Sequence, residues 1–223
     1  MRREFRPVVA LLVLGAVLAA IFNRWPGIDL AVTGWFYDAR AHHFDPLLYL
    51  LGLSCKRGIY VFNDLWLPLL VAGNLIFFLR RSHTRWLGFN RAQWAFLLAV
   101  MALGPGLSVN VAKQYFHRPR PLEIVQFGGH ETYVPPLMRG TEHGQSFFSG
   151  HAASGFYFCA FALLERRHRK RRYAFGLALG SVIGLSRIVM GAHFLSDILF
   201  SAIVMLLVMY ALRATLFRRQ LTP

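Results

Sequence analysis

Acidic side chains are scarce in this sequence: ten Asp and Glu stand against 25 Lys and Arg. Charge of either sign is thin, at 16% of 223 residues, where soluble domains carry about 25%. Lysine is nearly absent, with only Lys56, Lys113 and Lys170 beside 22 arginines. Cysteine is limited to Cys55 and Cys159, one outside and one inside an apolar run, with no redox or zinc spacing. That excludes a disulfide framework and a cysteine metal motif. What fills the chain instead is apolar: 56% of residues, against about 45–50% in soluble domains. A net charge of +15 would suit nucleic acid if it formed one soluble basic face. Here it comes in short runs between apolar segments, which excludes that partner and points to a membrane orientation signal.

A membrane-crossing helix needs roughly 20 apolar residues. Six segments approach that length: about Pro7–Phe22, Ile59–Leu79, Gln93–Ala112, Phe147–Leu164, Tyr173–Val189 and Phe194–Leu212. The basic start of the first would also suit a signal peptide. Phe22 to Trp25 lacks a small-x-small cleavage site, so the run reads as a retained span. The expected fold is therefore all-α: a six-span transmembrane bundle forming a single domain over residues 1–223.

Orientation follows from the connections. The N-terminus, the Arg80–Arg91 loop, the Glu165–Arg172 loop and the C-terminus together hold 16 of the 25 basic residues and two of the ten acids. Cytoplasmic loops carry the Lys/Arg excess, so both termini are expected in the cytoplasm. Two longer segments face outward. Arg24–Gly58 mixes charges with Trp35, Phe36 and Tyr37, as suits the headgroup layer. Tyr115–Ser146 is rich in Pro and Gly and reads as an irregular wall or lid. Gly176, Gly180 and Gly184 recur every fourth residue of the fifth span, allowing a close helix neighbour.

Ionisable residues at span ends are costly and point to function. Four basic groups, Lys113, His117, Arg118 and Arg120, follow the third span in KQYFHRPRP. Such cations can merely snorkel to headgroups. Two prolines fix this backbone, and guanidinium suits phosphate. QSFFSGHAASG opens the fourth span with Ser149, Gly150 and His151, where free N–H groups favour an anion. SRIVMGAHFLSD joins the last two spans through Ser186 and Arg187, with His193 and Asp197 four residues apart on one helix face. A carboxylate there can hold an imidazole tautomer. Four cations, a helix start and two imidazoles on one side fit phosphoryl transfer, in which one His attacks and the other protonates the leaving oxygen.

These motifs resemble the signature of the type 2 phosphatidic acid phosphatase superfamily: Lys-x6-Arg-Pro, Pro-Ser-Gly-His and Ser-Arg-x5-His-x3-Asp. Lys113 to Pro121 and Ser186 to Asp197 match in full; Phe148 stands where the second motif has Pro. The resemblance implies that Lys113, Arg120 and Arg187 bind phosphate oxygens with help from Ser149 and Gly150. It implies that His193 is the nucleophile, Asp197 its orienting carboxylate and His151 the general acid. Ser186 is given a structural or minor phosphate role. Arg118, outside the signature, is a candidate substrate contact. No cofactor is implied, and no metal, since Lys and Arg carry the electrostatic work. His42, His43, His130 and His143, with Glu131 and Glu142, lack metal-ligand spacing.

The implied function is removal of phosphate from a membrane lipid by way of a phosphohistidine, with the lipid entering from the outer leaflet. The loop QFGGHETYVPPL resembles bacterial members acting on lipid A, with undecaprenyl pyrophosphate and phosphatidylglycerol phosphate next and phosphatidic acid also a candidate. The expected location is a bacterial inner membrane with the site facing the periplasm. No obligate protein partner is inferred. A phosphotransferase would share the site. A non-catalytic lipid-phosphate binding or transport protein would need the cations but not the paired imidazoles and carboxylate.

Overall fold

The computed structural model describes residues 3–80, 85–140, 144–165 and 167–217. The N-terminal helix α1 covers Arg6–Arg24 and is followed by a short helix α2, Gly27–Gly34. A two-stranded antiparallel hairpin, β1 Tyr37–Asp38 and β2 His43–Phe44, leads into α3, Pro46–Arg80. Then come α4 (Arg91–Met101), a π-helical stretch (Ala102–Ser108) around Pro105 and α5 (Val109–Phe116). After an irregular outer segment, α6 (Gly150–Phe156) passes directly into a 3-10 helix, Tyr157–Leu163. Helices α7 (Arg169–Val189) and α8 (Leu195–Thr215) complete the bundle.

Among the described residues, five stretches are long and apolar enough to cross a membrane: α1, the Pro46–Leu79 part of α3, the Arg91–Glu123 stretch that α4 opens, α7 and α8. Leu12, Val13 and Val17 on α1 and Leu65, Phe78 and Leu79 on α3 are exposed, a pattern that needs a hydrocarbon solvent. The protein is an integral membrane protein.

Two expectations need correction. The helix that carries the second span begins at Pro46, not near residue 59, and α3 is 35 residues long. Asp45 starts it, accepting the Leu48 N–H at 2.9 Å, with Pro46 in the first turn where its missing N–H costs nothing. Lys56 and Arg57 hid this outer half from a hydropathy reading. The fourth segment is helical but divided, seven residues of α-helix and seven of 3-10 helix. It is the most enclosed part of the bundle: Ala152, Ala153, Tyr157, Cys159 and Ala160 are fully buried.

The close approach expected of α7 is present. A Cβ on Gly176 would stand 2.5 Å from the Cys159 nitrogen, one on Gly180 would enter the Phe156 ring and one on Gly184 would strike Ile198. Outside the main core, Ile124, Phe127 and Phe194 form a second apolar cluster with Leu30, Tyr37, Phe44 and Tyr133. This cluster joins both outer segments to the start of α8. Trp25 and Trp35 flank α2 and are exposed, as suits rings at the headgroup layer.

Candidate functional site

Local signals place each motif. His117 ends α5 in a left-handed conformation (φ 45°), turning the chain toward Arg118 and Arg120. The Arg118 carbonyl accepts the Ser146 N–H at 2.8 Å, which draws the first motif against the segment leading into the second. A Cβ on Gly144 would strike the Arg118 backbone, so only glycine allows that approach. Phe147 and Phe148, joined by a cis peptide, are buried beside Phe116 and Phe200. Ser149 caps α6, its Oγ accepting the Ala152 N–H at 3.3 Å. A Cβ on Gly150 would meet only Val109, at 3.4 Å, so packing alone does not demand glycine there. In the third motif, Ser186 Oγ donates to the Ile183 carbonyl at 2.7 Å, a structural role.

The motifs converge. Lys113, Arg120, Arg187, His151 and His193 lie close enough for their charges to act on one another. Arg120 Nε, Arg187 Nε and His151 Nε2 are buried without a hydrogen-bond partner among the described residues. Buried polar atoms are normally paired, so unpaired cationic donors and an imidazole nitrogen at one place mark a site for an anion.

His193 is 2% exposed, and its Nδ1 stands 3.5 Å from Asp197 Oδ2, too long for a well-formed hydrogen bond. That arrangement leaves Nε2 as the nitrogen turned away from the carboxylate. Burial, with the charges of Lys113 and Arg187, holds the His193 pKa down to about 4 against the opposing pull of Asp197. The imidazole is thus neutral at physiological pH and keeps the lone pair a nucleophile needs.

Asp197 is fully buried and heavily held. Its Oδ1 accepts from Arg118 Nη1 at 2.5 Å; its Oδ2 accepts from Ser146 Oγ at 2.5 Å and from the Phe194 N–H at 2.8 Å. Beneath it lies a residue whose sequence assignment does not stand. Arg118, expected to touch substrate, is 1% exposed. Its five N–H donors are all used: Nε to the Val134 carbonyl, Nη1 to Ser196 Oγ and Asp197 Oδ1, Nη2 to Asp29 Oδ2 and the Tyr133 hydroxyl. The Phe194 ring centroid lies 4.5 Å from its Cζ. Two carboxylates and an aromatic enclosure leave it no face for a ligand.

Asp29, on α2, is the partner that the sequence reading missed. It is fully buried and accepts the Ser196 N–H at 2.9 Å on Oδ1. On Oδ2 it accepts Arg118 Nη2 at 2.8 Å, the Tyr133 hydroxyl at 2.9 Å and Ser196 Oγ at 2.5 Å. Burial and Asp29 hold the Tyr133 phenol well above its ordinary pKa, so it stays a donor. The available signal was a lone acid inside the apolar run Gly27–Gly34.

Elsewhere, a cavity of about 780 Å³ is lined by Arg85, Phe89, Phe158, Phe161 and Phe175 among others, and by none of the residues above. It contains no imidazole and lies further along the segment that α6 opens. Among the described residues no three His, Cys, Asp or Glu gather at one place in a metal-ligand cluster; His143 and Glu142 lie outside those residues.

Comparison with known proteins gives a consistent result. A family model described as the PAP2 superfamily matches residues 93–221. A lipid A 4'-phosphatase of Francisella tularensis subsp. novicida is 30% identical over 94% of this chain and 97% of its own length. A lipid A 4'-phosphatase of Rhizobium leguminosarum is 31% identical over 88% of this chain and 91% of its own. Among solved structures, a transmembrane PAP2 type phosphatidylglycerolphosphate phosphatase from Bacillus subtilis superposes with a TM-score of 0.63, covering 97% of this chain and 98% of that one at 22% identity. That likeness concerns the fold.

Proposed function

The chain belongs to the PAP2 superfamily, and from that premise we propose that it removes a phosphate from lipid A through a phosphohistidine on His193. The observation that carries this is the meeting of unpaired Arg120, Arg187 and His151 nitrogens beside a neutral, carboxylate-backed His193. A headgroup-binding protein has use for the cations but none for that pair of imidazoles.

In the proposed reaction the phosphate oxygens are held by Lys113, Arg120 and Arg187, with Ser149 and the Gly150 N–H at the start of α6. His193 Nε2 attacks phosphorus and the bond to the lipid oxygen breaks. His151 gives that oxygen a proton. Positive charge developing on His193 is offset by Asp197. Water then attacks the phosphohistidine, His151 takes back a proton, and inorganic phosphate leaves.

The chain is proposed to cross the membrane six times, the enclosed α6 and its 3-10 extension forming the fourth crossing. Both termini would lie in the cytoplasm, and the site would face the periplasm of a bacterial inner membrane. The basic Glu165–Arg172 loop supports that orientation, and the exposed tryptophans around α2 suit a headgroup layer. The lipid A assignment follows the relatives; undecaprenyl pyrophosphate and phosphatidylglycerol phosphate come next.

The test is phosphate release by purified protein from lipid A, undecaprenyl pyrophosphate, phosphatidylglycerol phosphate and phosphatidic acid, with chelator present and His193→Ala beside it. Fastest release from lipid A, surviving chelator and lost in the variant, is expected. Transfer to a lipid acceptor without release would make the chain a phosphotransferase. Binding without either reaction, in folded protein, would refute the enzymatic reading.

A further inference from the structure

We propose that Lys56 and Tyr60 of α3 form a subsite for a negative charge carried by the leaving group itself, next to the scissile phosphate. The proposal rests on the assignment of His193 and His151 above and goes beyond it by naming the class of leaving group.

The geometry is a helix register. Helix α3 and the α6 segment run side by side with a constant offset of 91 residues. Asn63 Nδ2 donates to Ser154 Oγ at 3.2 Å, and Trp66 Nε1 donates to the Tyr157 hydroxyl at 3.0 Å. One turn toward the outer end, the Tyr60 ring meets the His151 imidazole edge to face, centroids 5.1 Å apart. Lys56 follows a further turn outward, about 6 Å along the axis. Tyr49, Gly52, Lys56, Tyr60 and Asn63 are spaced by three or four, so they share one face of α3. Gly52 lies against Met190 and the Ser186 carbonyl, which places that face beside the end of α7 that carries Arg187.

Lys56 does not simply extend to solvent. It is half-buried, and its Nζ folds back over the Tyr60 ring at 5.9 Å from the centroid. Its charge reaches His151. No carboxylate pairs with it among the described residues. The site already has Lys113, Arg120 and Arg187 for one phosphate, and Asp197 is engaged by Arg118. A further unpaired cation beside His151, the residue that would protonate the leaving oxygen, serves a ligand with more negative charge than one phosphate. The leaving oxygen must point at His151, so an anion next to it falls on Tyr60 and Lys56. Two chemistries meet the requirement: the inner phosphate of a pyrophosphate, or a carboxylate on a sugar attached beside the phosphorylated carbon.

Two substrate pairs separate them. One is farnesyl diphosphate against farnesyl monophosphate. The other is a 4'-phosphorylated acyl glucosamine disaccharide with and without a carboxylated sugar on the adjacent hydroxyl. Wild-type protein is expected to favour the charged member of one pair, and that pair names the source. Lys56→Met should cut that preference, read as a ratio of kcat/KM values, by about tenfold or more. Lys56→Arg should keep it. Arg57→Met, one residue along and exposed, should leave the ratio alone. Equal loss on both members of each pair, or no change in either ratio, would overturn the proposal and reduce Lys56 to a headgroup anchor. His193→Ala should be inactive on all four lipids; activity there would overturn the assignment of the site and this subsite with it.

Discussion

Asp29 lies outside every motif, yet Asp29→Asn should damage both stability and turnover. The change keeps shape and removes one charge. Asp29 accepts four hydrogen bonds, one on Oδ1 and three on Oδ2. An asparagine has only one accepting oxygen. Its best orientation keeps that oxygen toward Arg118, Tyr133 and Ser196 Oγ, and turns an NH₂ against the Ser196 N–H. One buried donor is then unpaired, costing about 1–3 kcal/mol. Arg118 also loses one of two carboxylates in a site where both partners are fully buried. Removing one member of a buried pair costs about 3–5 kcal/mol, and less where the other partner keeps a counter-ion, as Arg118 keeps Asp197. A total near 3 kcal/mol corresponds to a fall in Tm of roughly 6–12 °C for a chain of this size. Chemistry should suffer separately. With Asp29 neutral, the Arg118 charge acts on Asp197 alone, and Asp197 supports the cationic His193 less. The kcat should fall about tenfold while KM holds, since Lys113, Arg120 and Arg187 are untouched. Thermal unfolding in detergent and steady-state kinetics below the lowered Tm read the two effects. A Tm within about 2 °C of wild type, or a loss confined to KM, would refute the argument.

Three further outcomes are expected. Because the His193 pKa is depressed to about 4, kcat/KM, corrected for the substrate phosphate's own second ionisation at about 6, should keep no enzyme limb as pH falls through 6 and drop only as pH nears 4, where the imidazole takes a proton and loses its lone pair; a remaining enzyme limb at the ordinary histidine pKa of about 6.5 would show that burial does not hold it neutral. His151→Ala should lower kcat by about 100-fold to 10,000-fold while leaving orthovanadate inhibition nearly intact, as measured by inhibitor titration. Gly180→Ala would place a methyl group in the Phe156 ring and should cost about 1–3 kcal/mol, seen as a lower midpoint of thermal unfolding with phosphate affinity retained.

The sequence by itself determined the solvent, most of the helices and the residue types of the candidate site. Apolar runs with few charges require a bilayer, and that depends on composition rather than on contacts. Lys113, Arg120, His151, Arg187, His193 and Asp197 were legible because each lies at a span end, where an ionisable group is costly unless used. Tertiary structure decided what those groups touch. Arg118 looked like a substrate contact because a cation two residues from Arg120 has the same local signal. Its burial depends on Asp29, 89 residues earlier, which no spacing rule connects to it. The outer half of α3 was missed because Lys56 and Arg57 interrupt the hydropathy, although Asp45 and Pro46 start a helix before them. The place of Tyr60 and Lys56 beside His151 depends on a register between α3 and α6, and only side chains already packed, Asn63 on Ser154 and Trp66 on Tyr157, can fix that register. Local chemistry is written in local sequence; the partners of a buried charge come from wherever the chain returns to pack against it.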